Sequence, residues 1–166
     1  MTVHVATICT GNICRSPMAE VVLRDLIARD DGLAGEVRVT SAGLDHWHVG
    51  DPMDGRSRRA LDQAGYPGPG SRARHADAPY LDAQDLVIVM TREHREEVWR
   101  RSPRDPERVV LLRNLGVTPL DLDLADPYYG QAREFDDCLR TITEHLTALV
   151  NAWRHSPRGP RWWIER

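Results

Sequence analysis

The 166-residue chain contains no lysine; all 22 of its basic residues are arginine. That excludes a nucleotide-binding loop of the Gly-x4-Gly-Lys-Ser/Thr type, whose lysine reaches the outer phosphates. A Gly-x-Gly-x-x-Gly fingerprint is missing from the first strand-to-helix turn, which removes the usual dinucleotide site. Three cysteines in a chain of this size are too few for a disulfide framework. The seven histidines show no HExxH or comparable ligand spacing, so no metal site is expected, and His48, His75 and His94 read as structural or surface residues. No apolar run approaches the length of a membrane span, and a secretory leader pattern is absent. The net charge of −3 is mild and gives no case for nucleic acid or an anionic membrane as partner. The expectation is a cytoplasmic protein, monomer or weak dimer, with leaderless export still open. Repeats and coiled-coil heptads are also missing.

What is present alternates in a regular way. Val3–Ile8 reads as a strand and Pro17 to about Arg29 as a helix, with i,i+4 rows Met18-Val22-Leu26 and Ala19-Leu23-Ile27. Val37–Thr40 reads as a second strand, and Gly55–Ala64 as a short helix capped by Asp54 and closed by Gly65. Pro67–Gly70 is a turn. Leu86–Met90 is an unbroken apolar run, as in a central parallel strand buried on both faces. Thr91 can cap a helix through Arg101, and Val109–Leu112 is a fourth strand. The last helix carries one stripe: Phe135, Cys138, Leu139, Ile142, Leu146, Leu149, Val150 and Trp153. On that stripe Cys138 is inert core. The predicted class is α/β, a three-layer sandwich with a parallel sheet between helical layers. Ligands in such folds sit beyond the carboxyl ends of the strands.

One segment stands at such an end: Cys9-Thr10-Gly11-Asn12-Ile13-Cys14-Arg15-Ser16, followed by Pro17 as a helix-start signal. A strand-end cysteine alone is usually a small buried hydrophobe, and a lone arginine a solvated surface group. Together they suit an anion. Loop amides and the free N–H groups of a helix N-terminus can converge on one centre, and the helix dipole adds positive charge there. Arg15 can grip two oxygens with its planar fork. The same field favours the thiolate of a cysteine at the loop start, the nucleophilic form. Gly11 is expected to permit the tight backbone path. Asn12 would stitch the loop through its side chain, and Ser16 would both cap the helix and donate to the thiolate. The reading is a phosphate cradle whose bound phosphate is attacked by its own cysteine.

Arg113–Gln131 is a long connection with few helix or strand signals, and such loops are usually functional or disordered. It carries Asp121, Asp123 and Asp126, then Pro127-Tyr128-Tyr129-Gly130. Expelling an alcohol or phenol needs a proton on the leaving oxygen, and a carboxylic acid can give one and later take one from water. Asp121 and Asp123 are rivals by position. Asp126 is preferred because the two tyrosines after it can wall a slot for a flat phenyl ester. In the first step Cys9 would attack phosphorus in line while Asp126 protonates the departing oxygen. In the second, water deprotonated by Asp126 would release phosphate from the phosphocysteine. Arginine and amides would balance the equatorial charge, so no metal or other cofactor is called for.

On these residues the chain resembles the low-molecular-weight protein tyrosine phosphatases, in the form common among actinobacteria. The matching segments are Cys9 to Glu20, Thr40-Ser41-Ala42-Gly43, Trp47-His48-Val49-Gly50, Asp54-x-Arg56-Ser57 and Asp126-Pro127-Tyr128-Tyr129-Gly130. The resemblance implies a four-stranded parallel sheet flanked by helices, over a phosphatase domain of residues 1–155. It implies Cys9 as nucleophile, Arg15 as phosphate clamp and Asp126 as acid and base. Asn12, Ser16 and Ser41 would support the loop, with Ile13, Trp47, Tyr128 and Tyr129 along the substrate groove. Thr10, Gly11 and Cys14 fall in the phosphate-binding loop itself. Phosphotyrosine-containing proteins are the implied substrates, and phosphate or other oxyanions the implied ligands of the loop. The resemblance also implies a reversible Cys9–Cys14 disulfide under peroxide, against the plainer reading that Cys14 packs beneath the loop. Where relatives often carry a histidine that steadies the loop asparagine, this chain has Ser71. The tail from residue 156 to 166, with Trp162 and Trp163, has no counterpart in the resemblance and is expected to be disordered or docked on the domain.

Three rival activities fit parts of the pattern. Arsenate reduction on a similar fold needs further cysteines near the third strand, and Leu81 to Arg101 contains none. Phosphoarginine hydrolysis is compatible with Thr10, which such enzymes also carry, while Tyr128 and Tyr129 favour a planar phenyl ester. A non-catalytic phosphate-binding module would lack a nucleophile or an acid, and both are present.

Overall fold

A computed structural model describes residues 2–66, 68, 70–116, 122–156 and 159–160. Pro67 and Pro69 of the expected turn, Asp121, and Trp162 and Trp163 of the tail lie outside the described residues. Four parallel strands, β1 (Val3–Cys9), β2 (Val37–Gly43), β3 (Leu86–Val89) and β4 (Val109–Leu111), form one sheet in the order β2-β1-β3-β4. The helices are α1 (Arg15–Ala28), α2 (Gly55–Gln63), α3 (Ala78–Asp82), α4 (Arg92–Arg101) and α5 (Ala132–His155). The chain moves one way from β1 to β2 and the other way to β3. The switch point, where α/β sheets hold ligands, therefore lies at the carboxyl end of β1.

Strand alternation divides the interior. Val3, Val5, Cys9, Leu86 and Ile88 face the layer that contains α1 and α5, whereas Ala6, Ile8, Val87 and Val89 face the layer with α3 and α4. Both faces are buried, so β3 needs no polar alternation, and its apolar run follows. The stripe on α5 is buried as expected, and His145 joins it, its Nδ1 3.0 Å from the Leu115 carbonyl.

Local chemistry sets the ends. Asp54 caps α2 by accepting the Arg56 N–H, Thr91 caps α4 through the His94 N–H, and Gln131 and Glu134 form a reciprocal capping box on α5. Two expectations need correction. α1 begins at Arg15 with Cys14 as its N-cap and no side-chain cap, so Ser16 lies inside the first turn and does not cap. Its hydroxyl is turned toward Cys9 instead. The five-residue α3 was not foreseen; it has too few residues to show a period, although Asp77 caps it and Pro79 sits in its first turn. Among the described residues no helix is long and apolar enough to cross a membrane.

Candidate active site

The loop 9–14 leaves β1 and runs straight into α1. Its left-handed residue is Asn12, at φ 57°, while Gly11 beside it does not have a positive φ. Asparagine tolerates this conformation because its short side chain finds local partners. Here every hydrogen-bonding group of that side chain is used. Nδ2 donates to Ser16 Oγ at 2.8 Å and to Ser41 Oγ at 2.9 Å, and Oδ1 accepts the Arg74 N–H at 3.0 Å. The loop is also pinned from outside: Leu44 and Asp45 N–H groups donate to the carbonyls of Cys9 and Thr10.

Behind Asn12, the expected loop support Ser41 belongs to a network centred on Glu20, a residue to which the sequence assigns no role. The Ser41 hydroxyl donates to Glu20 at 2.5 Å, the Ser71 hydroxyl donates to its other carboxyl oxygen at 2.7 Å, and Arg24 pairs with it at 2.6 Å. Glu20 is fully buried. Ser71 thus reaches the loop asparagine through Glu20 and Ser41. The available signal was Glu20 itself, a charge on the buried face of α1.

Cys9 Sγ receives the Asn12 N–H at 3.3 Å and lies 3.0 Å from Ser16 Oγ. Ser16 already accepts from Asn12, and its own proton has two acceptors in reach, the sulfur at 3.0 Å and the Ala42 carbonyl at 3.4 Å. The Asn12 N–H and the Ser16 hydroxyl thus both face the sulfur. Cys14 differs: burial foremost, with Asp54 nearby, pushes its thiol up to about 12. Burial likewise pushes Cys138 up to about 12, in keeping with a core role.

Arg15 is buried at 4% exposure and turned inward. Nη1 donates to the Leu124 carbonyl at 3.0 Å, Nη2 donates to Asp126 Oδ2 at 2.7 Å, and Nε has no protein partner. Among the described residues this N–H is buried without a partner beside the cavity that holds Cys9, where an acceptor could take it. Thr10 Oγ1 lies 3.5 Å from Nη2 and 2.9 Å from His94 Nε2. His94 was read as structural or surface. It is buried against the loop, and burial first, then the Arg15 charge, lowers it to about 3, so it is neutral.

Asp126 is brought to the loop and Asp123 is not. Asp123 accepts the Arg92 N–H at 2.8 Å and pairs with that guanidinium, which holds it below the usual carboxylate range. A cavity of about 260 Å³ joins these parts. Cys9, Thr10, Gly11, Ile13, Cys14 and Arg15 form its base, and Asp126 its side. Trp47, His48, Tyr128 and Tyr129 form the mouth, with the two tyrosine rings edge to face at 5.0 Å. His48 was not expected here; it packs close to Gly11, where an added Cβ would come within 3.0 Å of its ring. Trp47 and Tyr129 are largely exposed, so the rim is apolar and open to a partner. Gly43 lets β2 approach the loop: a Cβ there would meet the Thr10 carbonyl oxygen at 2.7 Å.

A cysteine, an inward arginine and a carboxyl thus meet around one small cavity at the switch point of an α/β sheet. Residues 4–157 match the family model described as low molecular weight phosphotyrosine protein phosphatase. The chain is 39% identical over 163 residues to a Streptomyces coelicolor low molecular weight protein-tyrosine-phosphatase, covering 96% of this chain and 98% of that one. It is also 39% identical over 150 residues to low molecular weight protein-tyrosine phosphatase A of Mycobacterium tuberculosis, covering 88% of each. Among solved structures, YfkJ from Bacillus subtilis superposes with a TM-score of 0.79 at 34% identity, covering 92% of this chain and 96% of that one. An Entamoeba histolytica protein tyrosine phosphatase reaches 0.84 at 24% identity, covering 92% and 97%, which speaks to the fold alone. The chain belongs to the low molecular weight phosphotyrosine protein phosphatase family.

Proposed function

We propose that this chain hydrolyses phosphotyrosine in proteins through a phosphocysteine, with residues 1–155 as the catalytic domain. The observation that carries this reading is the meeting of Cys9, the unpaired Nε of Arg15 and Asp126 at one cavity. Cys9 sulfur attacks phosphorus as the P–O bond to the phenol breaks, and Asp126 gives its proton to the departing oxygen. Water then attacks the phosphocysteine, loses its proton to Asp126, and phosphate leaves with Cys9 restored as thiolate. Arg15 and the first-turn amides of α1 hold the equatorial oxygens, where the charge is spread. Tyr128 and Tyr129 favour a flat phenol, and the exposed Trp47 offers protein substrates an apolar contact. Once peroxide has converted Cys9 to a sulfenic acid, Cys14 is the nearest thiol in sequence to condense with it, releasing water.

Hydrolysis of p-nitrophenyl phosphate with EDTA present tests the reading. Cys9→Ser and Arg15→Ala should lose essentially all turnover, and Asp126→Ala should lose roughly 10²–10⁴-fold. Retained turnover in Cys9→Ser would end the covalent mechanism. Phosphotyrosine peptides should outcompete phosphoarginine, and the reverse order would move the substrate class.

A further inference from the structure

Arg56 opens α2, outside the phosphate loop and away from the acid's own segment, yet it touches the supports of both. Its guanidinium grips Asp54 with two bonds, Nε to Oδ1 at 3.0 Å and Nη2 to Oδ2 at 2.8 Å. The remaining nitrogen, Nη1, donates to the carbonyls of Tyr128 at 2.9 Å and Gly130 at 3.3 Å. The planar group lies 4.6 Å over the Phe135 ring and 5.5 Å from that of Tyr128. At the other end, the Asp54 N–H donates to the Ile13 carbonyl at 2.8 Å, inside the phosphate loop.

These contacts form one line. Ile13 is tied to Asp54, Asp54 to Arg56, and Arg56 to the Tyr128 carbonyl. The Tyr128 N–H in turn donates to Asp126 Oδ1 at 3.1 Å. The acid sits on a segment without regular structure that approaches the loop from more than a hundred residues away; Arg15 holds its near side at Leu124 and Asp126, and the Tyr128–Gly130 side is held by Arg56. Arg56 is the described side chain that bonds the Tyr128 and Gly130 carbonyls while fastened to a residue that holds the phosphate loop. Asp54, held below the ordinary carboxylate range first by Arg56, stays ionised and keeps the grip.

We propose that Arg56 is a positioning residue for proton transfer: it sets the distance and orientation of Asp126 and of the Tyr128 wall relative to the phosphate loop. This rests on the reading of Asp126 as general acid. A side chain that acts in this way matters when the leaving oxygen needs a proton and is dispensable when it does not. A side chain that merely holds the fold affects both cases alike.

The test compares kcat/KM on phenyl phosphate, whose phenol is a poor leaving group, with kcat/KM on 2,4-dinitrophenyl phosphate, whose leaving group departs as the anion. Arg56→Gln removes the fork and its charge. Arg56→Lys keeps the charge, but cannot hold Asp54 with two bonds and reach both carbonyls. Arg56→Gln should lose roughly 10–100-fold on phenyl phosphate and less than about threefold on the dinitrophenyl ester, with Arg56→Lys between it and the native enzyme. Retained dinitrophenyl turnover also reports that each variant is folded. Equal losses on both esters, or no loss on either, would overturn the proposal. Asp126→Ala is run beside them and should show the larger bias of the same kind. If it shows none, the reading of Asp126 itself fails; if it shows the bias and neither Arg56 variant does, the assignment of Arg56 alone fails.

Discussion

Arg15 Nη2 donates to Asp126 Oδ2 at 2.7 Å, so the cation assigned to phosphate and the carboxyl assigned to the leaving group hold one another. The Asp126 side chain is 43% exposed, so water screens the pair and its worth is on the order of 1 kcal/mol. An oxyanion entering the loop must take that nitrogen from the carboxylate. Asp126→Asn removes the competing charge, and inorganic phosphate is expected to inhibit roughly fivefold more tightly. Equal or weaker inhibition would show that the two do not compete.

Glu20 carries two hydroxyls and a guanidinium while fully buried. Replacing it with glutamine keeps the shape, removes the charge and leaves donors facing an amide. The expected cost is about 1–3 kcal/mol in urea unfolding. Because the network ends on Asn12, kcat should fall as well. A variant of native stability and turnover would show that Ser41 and Asn12 do not depend on it.

His94 predicts a dependence on pH. Its folded form resists protonation down to about 3, while an unfolded histidine takes its proton near 6.5. Between those values the unfolded chain binds more protons, so stability falls as pH drops through this window, by up to about 1.4 kcal/mol per pH unit. His94→Gln removes the contribution. Between pH 6.5 and 4 its melting temperature should decline less steeply than that of the native protein, and parallel slopes would count against a buried neutral imidazole.

Gly43 faces backbone rather than a yielding side chain. An alanine Cβ would lie 2.7 Å from the Thr10 carbonyl oxygen and 2.9 Å from the Gly11 carbonyl carbon. The loop must move to admit it. Gly43→Ala should cost about 1–3 kcal/mol and lower kcat/KM more than tenfold, since small displacements at a reacting centre are expensive. Native kinetics would mean that the loop tolerates the shift.

Periodicity made most of the scaffold legible. The run at β3 and the stripe on α5 each state a burial pattern directly, and the sheet follows from their alternation. The clustered motif likewise placed Cys9, Arg15 and Asn12 together. Other parts had no local signal. Asn12 is held in the left-handed region by its bond to Ser16 within the motif and by two bonds from distant segments, Ser41 and Arg74. Ser16 is no cap because Arg15 already belongs to the helix. His94 could not be distinguished from a surface histidine until α4 was set against the loop. Tyr128 and Tyr129 already favoured Asp126 over Asp123, and the pairing of Asp123 with Arg92 could be seen only in the structure.

Arg15 Nη1 reaches the Leu124 carbonyl across 109 positions of chain. On the proposed roles, a ribosome therefore makes Cys9 long before Asp126, and a partly synthesised chain carries the cysteine without the carboxyl assigned to the leaving group. During refolding, recovery of turnover should coincide with docking of the C-terminal third rather than with early secondary structure, because so distant a closure comes late. Competence is acquired in the last step.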